Sequence, residues 1–210
     1  MIDTPGRLLD AAEKLFASEG YGAVSLRQII AAAKANVAAV HYHFGSKQQL
    51  LDAVVLRKAE PVNRERLMRF DRLEEHGPPK VEQILAAFLE PIGIAAAKNP
   101  EFTRMMGRLQ AEGILTQVLD RNFEPVLSRF LALLRKATEE LPESEFHWRV
   151  YFMQGALANA MLGTLNRVGG PLEDEGFPAR IERLIAFLSG AFRAPVRRMD
   201  KPARQSGMNQ

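Results

Sequence analysis

The chain has 210 residues, 47% of them hydrophobic and 25% charged, with no cysteine and a formal net charge of +3. That length and apolar content suffice for one small and one larger domain with a true core, while the missing cysteines exclude a disulfide framework, thiolate metal sites and a cysteine nucleophile. No apolar run approaches the roughly 20 residues of a membrane span, and Asp3, Arg7, Asp10, Glu13 and Lys14 interrupt the N-terminus at helical spacing, unlike a secretory leader, so a soluble cytoplasmic protein is expected.

In chain order the pattern is helix after helix, without strand alternation. Thr4 caps a first helix with Pro5 at its first position and Leu8, Leu9, Ala12, Leu15 and Phe16 as its apolar stripe. Ser25 and Gln28 form an S-x-x-Q capping box that opens a second helix, with Leu26, Ile29, Ile30 and Ala33 on one face. A turn at Lys34, Ala35 and Asn36 follows, and Asn36 caps a short helix from Val37 to Phe44 with Val40 and Phe44 on its buried side. After Gly45, a second S-x-x-Q box, Ser46 with Gln49, starts a longer helix that runs toward Glu75, with a kink or interruption expected at Pro61. Gly77-Pro-Pro-Lys80 breaks the chain, Pro91 is expected to disturb the next helix, and Asn99-Pro100 reads as an N-cap followed by proline at the first helical position. Pro125 marks an irregularity within Ile114 to Leu141, and two further helices, roughly Ser144 to Val168 and Pro178 to Phe192, flank a Gly- and acid-rich loop. The final stretch holds Arg193, Arg197, Arg198, Lys201 and Arg204 against Asp200 alone, with prolines and no apolar periodicity, and is expected to be a disordered basic tail. Because the tail carries the net charge, the remaining body is about neutral, and global charge does not establish affinity for a polyanion.

Local charge does more. Between Gly20 and Leu51 there is no aspartate or glutamate, whereas Arg27, Lys34, Lys47, His41 and His43 lie inside. An acid-free surface is what phosphates require, and the amides opening the helices at Ser25, Asn36 and Ser46 add anion-binding capacity. Helix, turn and second helix in this order form a helix-turn-helix.

On these residues the chain resembles the DNA-binding domain of the TetR family of bacterial transcriptional regulators. The matching residues are Leu9, Ala11, Ala12, Leu15, Phe16, Gly20 and Tyr21, then Ser25, Leu26, Arg27, Ile29 and Ala33, then Tyr42, His43, Phe44, Ser46, Lys47 and Leu50. The run from Ala38 to Lys47 is also similar to a subgroup that includes fatty-acid-responsive regulators. Two positions depart from the family pattern: Lys34 replaces a common turn glycine and Ala35 a common valine. A non-glycine residue in a left-handed conformation costs about 1 kcal/mol, so a slightly strained turn is expected.

The resemblance implies an all-α protein with a three-helix helix-turn-helix domain (residues 1–47), a larger helical ligand-binding and dimerisation domain (48–192) and the basic tail (193–210). It places Val37, Ala38 and Ala39 toward bases, where short apolar side chains favour thymine methyls. Arg27 is the candidate for a bidentate guanine contact or a phosphate clamp; Ser25, Asn36, Tyr42, His43 and Lys47 would hold phosphates, and His41 suits either role. At a spacing of two, His41 and His43 diverge around a helix and do not share a metal; neither metal nor cofactor is expected.

For the last two helices, the small-residue strip of Phe152, Gly155, Ala156, Asn159, Ala160 and Gly163 and the stripe of Ile181, Leu184, Ile185, Leu188 and Phe192 fit either ordinary core or a dimer surface. The resemblance favours a two-fold homodimer, since such motifs generally act in pairs. Phe88, Phe102, Met105, Met106, Leu109, Leu115, Phe123, Trp148, Tyr151 and Phe152 are candidates to line an effector cavity, with Arg104, Arg108 and Arg149 as candidate anion receivers or solvated helix faces. No H-E-x-x-H, G-x-S-x-G or phosphate loop supports an enzyme. The expectation is a non-enzymatic, ligand-responsive regulator of operator DNA: a repressor released by a small apolar effector of acyl or aromatic character. An activator or ligand-independent DNA binder is the alternative, and a helical carrier or enzyme a distant one.

Overall fold

The computed structural model describes residues 4–115, 117–118, 123–162 and 175–196. Among them are nine helices: α1 (Thr4–Glu19), α2 (Leu26–Ala32), α3 (Val37–Phe44), α4 (Lys47–Glu75), α5 (Val81–Lys98), α6 (Pro100–Ala111), α7 (Glu124–Ala137), α8 (Glu143–Leu162) and α9 (Phe177–Arg193). No described residue is in a strand, and no helix of these residues is long and apolar enough to cross a membrane.

The local signals hold at the starts of α2, α3, α4 and α6, whereas Thr4 is the first residue of α1 rather than its cap. Ser25 and Gln28 make the full reciprocal capping box, Asn36 accepts from the Ala39 amide at 2.7 Å, and Asn99 caps α6 ahead of Pro100. Ser46 caps α4 through the Gln49 amide, but the return half of that box is not made: the Ser46 amide donates to the Phe44 carbonyl instead. Neither Pro61 nor Pro91 interrupts its helix. Pro61 and Pro91 both lie inside continuous helices, Pro61 on an exposed side and Pro91 buried against neighbours, so tertiary packing holds both helices together across a missing hydrogen bond. Pro125 sits in the first turn of α7, where its lacking N–H costs nothing. The last helix reaches Arg193, whose guanidinium pairs with Glu82 of α5, so that residue belongs to the folded body and not to the tail; residues 197–210 lie outside the described ones.

Two apolar cores organise the fold. The first gathers Leu8, Ala12 and Phe16 of α1, Ile29 of α2, Val40 of α3 and Leu50, Leu51, Val54 and Val55 of α4, together with Met105, Met106 and Leu109 of α6. It therefore continues past residue 47 and takes in a helix from the larger part of the chain. The second joins Phe70 of α4, Ile84, Phe88 and Leu89 of α5, Phe130 and Leu134 of α7, Met153 of α8 and Ile181, Leu184, Leu188 and Phe192 of α9. Leu127 and Met161 pack against both. Helix α4 is the common strut.

A buried carboxylate fastens α1 to this strut. Glu13, 6% exposed, pairs with Arg57 at 3.0 Å and Lys58 at 3.3 Å on α4, and accepts from Asn99 at the head of α6 at 3.3 Å.

Candidate nucleic-acid interface and cavity

The turn between α2 and α3 is built around Lys34, the one non-glycine residue with positive φ among those described, at +50°. This is the strained turn that the missing glycine implies. It sets α3 with Val37, Ala38, His41, Tyr42 and His43 outward, Val40 fully buried and Ala39 and Phe44 half-buried. Tyr42 is 85% exposed and meets the His43 ring edge-on at 4.9 Å. The His41 ring lies 3.2 Å from the Gly45 carbonyl through Nδ1, which orients its other nitrogen away from the helix end. Ser25 and Asn36 spend their side chains on caps, and Arg27 is exposed without an ion pair or hydrogen bond among the described residues. A convex, acid-poor helix with small side chains at its head is shaped for a major groove.

Lys47 is placed differently from a free phosphate ligand. Its ammonium donates to the Tyr21 carbonyl and lies 4.1 Å from the centre of the Tyr21 ring, and partial burial lowers its pKa while the nearby Glu112 carboxylate opposes that shift. Glu112 was not legible as a partner. It follows α6 directly and accepts from the Gly22 amide at 3.0 Å across a sequence separation of 90. Gly20, at φ +91°, supplies a left-handed turn that L side chains rarely adopt, and the Glu112 carboxylate lies close against it. The acid-free window of the sequence is thus edged, in space, by the acid that follows α6.

Beside α6 lies a predominantly apolar cavity of about 220 Å³ between the two cores. Of the candidates for it, Phe88, Phe102, Met106, Leu115 and Phe123 are on its wall. Met105 and Leu109 instead face α1 in the first core. Trp148, Tyr151 and Phe152 are corrected: they cluster on the outer face of α8, Trp148 stacked on Phe152 and Tyr151 edge-on to both, each more than half exposed, because α8 turns Val150, Met153 and Leu157 inward. Arg104 and Arg108 are not on the cavity wall. Arg149 is neither an anion receiver nor solvated; it caps the end of α9 by donating to the Ala191 and Phe192 carbonyls at 2.7 and 3.0 Å, held by Glu145 at 2.9 Å. Among the described residues the cation that does reach the cavity is Arg66 of α4, one of many charges in its segment, which no periodicity singled out.

The apolar stripe of α9 is also corrected. Ile181, Leu184, Leu188 and Phe192 are buried within the subunit, where α9 packs along α5, and Ile185 is half-buried. Ala156 and Ala160 are half-buried too, and Gly163 lies outside the described residues. What α8 and α9 leave open is another face: Trp148, Tyr151, Phe152, Gly155 and Asn159 on α8, and Ala186, Phe187 and Gly190 on α9, with Phe187 67% exposed.

Comparison with known proteins gives two family matches: bacterial regulatory proteins of the tetR family over residues 8–54, and the tetracyclin repressor-like C-terminal domain over residues 84–191. The chain is 27% identical over 201 residues to the HTH-type transcriptional repressor BepR of Brucella suis biovar 1 (strain 1330), covering 92% of this chain and 94% of that protein. Similar folds are found in a putative tetR family transcription regulator from Shewanella sp. PV-4 (TM-score 0.67, 18% identity, 90% of this chain and 97% of that one) and in the fatty acid degradation regulator FadR from Bacillus halodurans (TM-score 0.65, 16% identity, 91% and 97%).

Proposed function

Since the chain belongs to the TetR family of bacterial transcriptional regulators, we propose that it is a cytoplasmic repressor that binds a palindromic operator as a homodimer and is released by a small apolar effector. The observation that carries the effector half is the apolar cavity walled by Phe102, Thr103, Met106 and Gln110 of α6, the helix whose end is tied to Gly22 beside the DNA-binding helices. A ligand that displaces α6 therefore displaces the loop that positions α2.

For DNA, Val37 and Ala38 face bases at the head of α3, with Ala39 behind them. Arg27 and the helix-start amides at Ser25 and Asn36 hold phosphates, and Tyr42, His43 and His41 extend the contact along the groove. For dimerisation, the exposed residues Trp148, Phe152 and Gly155 at spacings of four and three on α8, with Phe187 and Gly190 three apart and Ala186 beside them on the adjacent α9, suit an isologous four-helix contact. So large an open aromatic face on a monomer calls for a partner.

The test is selection of bound DNA from a random pool by the purified protein, followed by footprinting and sedimentation of the complex. A palindromic site occupied by a dimer and vacated on adding a cavity ligand is the expected result. Binding without palindromic preference, or unaffected by any compound that stabilises the protein, would remove the corresponding half of the proposal.

A further inference from the structure

Arg66 is 4% exposed and lies on the wall of the cavity. Its Nε donates to the Phe88 carbonyl at 2.9 Å, one Nη1 proton goes to Asn63 Oδ1 at 2.8 Å, and the guanidinium lies 4.0 Å from the centre of the Phe88 ring. All these partners are neutral. Among the described residues no carboxylate comes within ion-pair distance of it, in contrast to Arg57, Arg69, Arg129 and Arg149. A second Nη1 proton and both Nη2 protons have no protein acceptor there. Burial without a compensating charge pushes its pKa down to about 9, the mark of a cation held out of water at a cost. Among the described residues the rest of the wall is apolar apart from Thr103, Gln110 and Gln154.

We propose that Arg66 is the head-group subsite of this cavity and that its ligand is an amphiphilic acid whose free carboxylate pairs with the guanidinium while its apolar body lies along Phe102, Met106, Leu127 and Met161. The inference rests on reading the cavity as the effector site. A planar guanidinium with protons on both terminal nitrogens suits a carboxylate, and Arg66, the one cation among the described wall residues, balances a single negative charge. A cavity of about 220 Å³ lies just below the roughly 300–1,000 Å³ of drug-sized ligand sites, which suits a medium-chain or aryl acid.

The test compares octanoate, methyl octanoate, octanol and octylamine by calorimetry on the full chain, then on Arg66→Met. Octanoate is expected to bind at least about tenfold more tightly than either neutral analogue, with octylamine weakest. In Arg66→Met the preference for the acid should shrink to about twofold or less while octanol still binds. Equal affinity for acid and ester in the unmodified protein, survival of the acid preference in Arg66→Met, or binding of none of the four overturns the assignment. If Arg66→Met does not fold, the head-group series on the unmodified chain decides, with Arg66→Lys retaining the acid preference. Operator release separates the two readings. Release by octanol and ester as well as by octanoate leaves the effector site standing and removes Arg66 from it; acid-selective binding without release keeps the subsite and removes the effector role.

Discussion

Arg27 and Lys47 carry the same charge, yet only Lys47 is engaged inside the protein, against the Tyr21 carbonyl and ring. Their replacements should therefore differ in kind. Arg27→Ala is expected to lower the salt dependence of operator binding by about one in log–log slope and to leave the melting temperature unchanged, since it removes a phosphate contact alone. Lys47→Ala should lower the melting temperature, because a cation–π contact of about 0.5–1 kcal/mol and a hydrogen bond to a charged donor are lost together. An unchanged melting temperature for Lys47→Ala would return that residue to the phosphates. Arg66 gives a pH signature. Its folded pKa lies near 9, below its ordinary value, so between the two the unfolded chain holds more protons and stability rises with pH. The penalty is present in full below about 9 and relieved above it. Relative to Arg66→Met, the unmodified protein should therefore gain in urea midpoint between pH 8 and pH 10. A constant difference between the two proteins would mean that Arg66 is not held uncompensated.

At the scale of elements, α8 and α9 each present one face to the subunit and one to the outside. The buried face of α9 is its continuous Ile/Leu/Phe stripe against α5, and the outward face is sparse in apolar residues but centred on Phe187. Phe187→Glu is expected to yield a folded monomer with operator affinity reduced at least about a hundredfold, measured by sedimentation and titration, because two linked contacts become one. A dimer that survives this change would move the interface elsewhere. Helix α1 depends on Glu13 for its seat on α4. Glu13→Ala removes the shared acceptor of Arg57, Lys58 and Asn99, and should cost about 1–3 kcal/mol in urea denaturation. The value stays moderate because both cations keep access to water; a change below about 0.5 kcal/mol would make the cluster ornamental.

Over the whole molecule, the cavity and the DNA-binding helices are connected by α6, which lines the former with Met106 and Gln110 and reaches the latter through Glu112. If this contact transmits the ligand signal, Glu112→Ala should preserve operator binding in the absence of ligand and reduce the ratio of operator affinities without and with ligand from the usual 5- to 150-fold range toward about unity. By linkage, operator DNA would then no longer weaken ligand binding. Retention of the full ratio would assign the coupling to α4, the strut that enters both cores.

The three-helix motif was legible because what signals it is short-range: the Ser25–Gln28 box, the Asn36 cap, the turn at Lys34 and the stripe of Leu26, Ile29, Ile30 and Ala33 each act over a few residues or one helix face. The sequence by itself therefore determined the helical class, the capped starts of α2, α3, α4 and α6 and the acid-free window. Tertiary structure alone decided which apolar stripe is core and which face is open, since Ile181 and Phe187 are chemically alike and only the packing of α9 on α5 distinguishes them. It also decided that Pro61 and Pro91 do not break their helices, that Arg149 caps α9 and that Arg66, among neighbours of equal charge, is the cation buried at the cavity. These outcomes depend on burial and on partners as distant as Gly22 and Glu112, and the free energy of a charge or an apolar side chain is set by the neighbours it meets, which no local pattern contains.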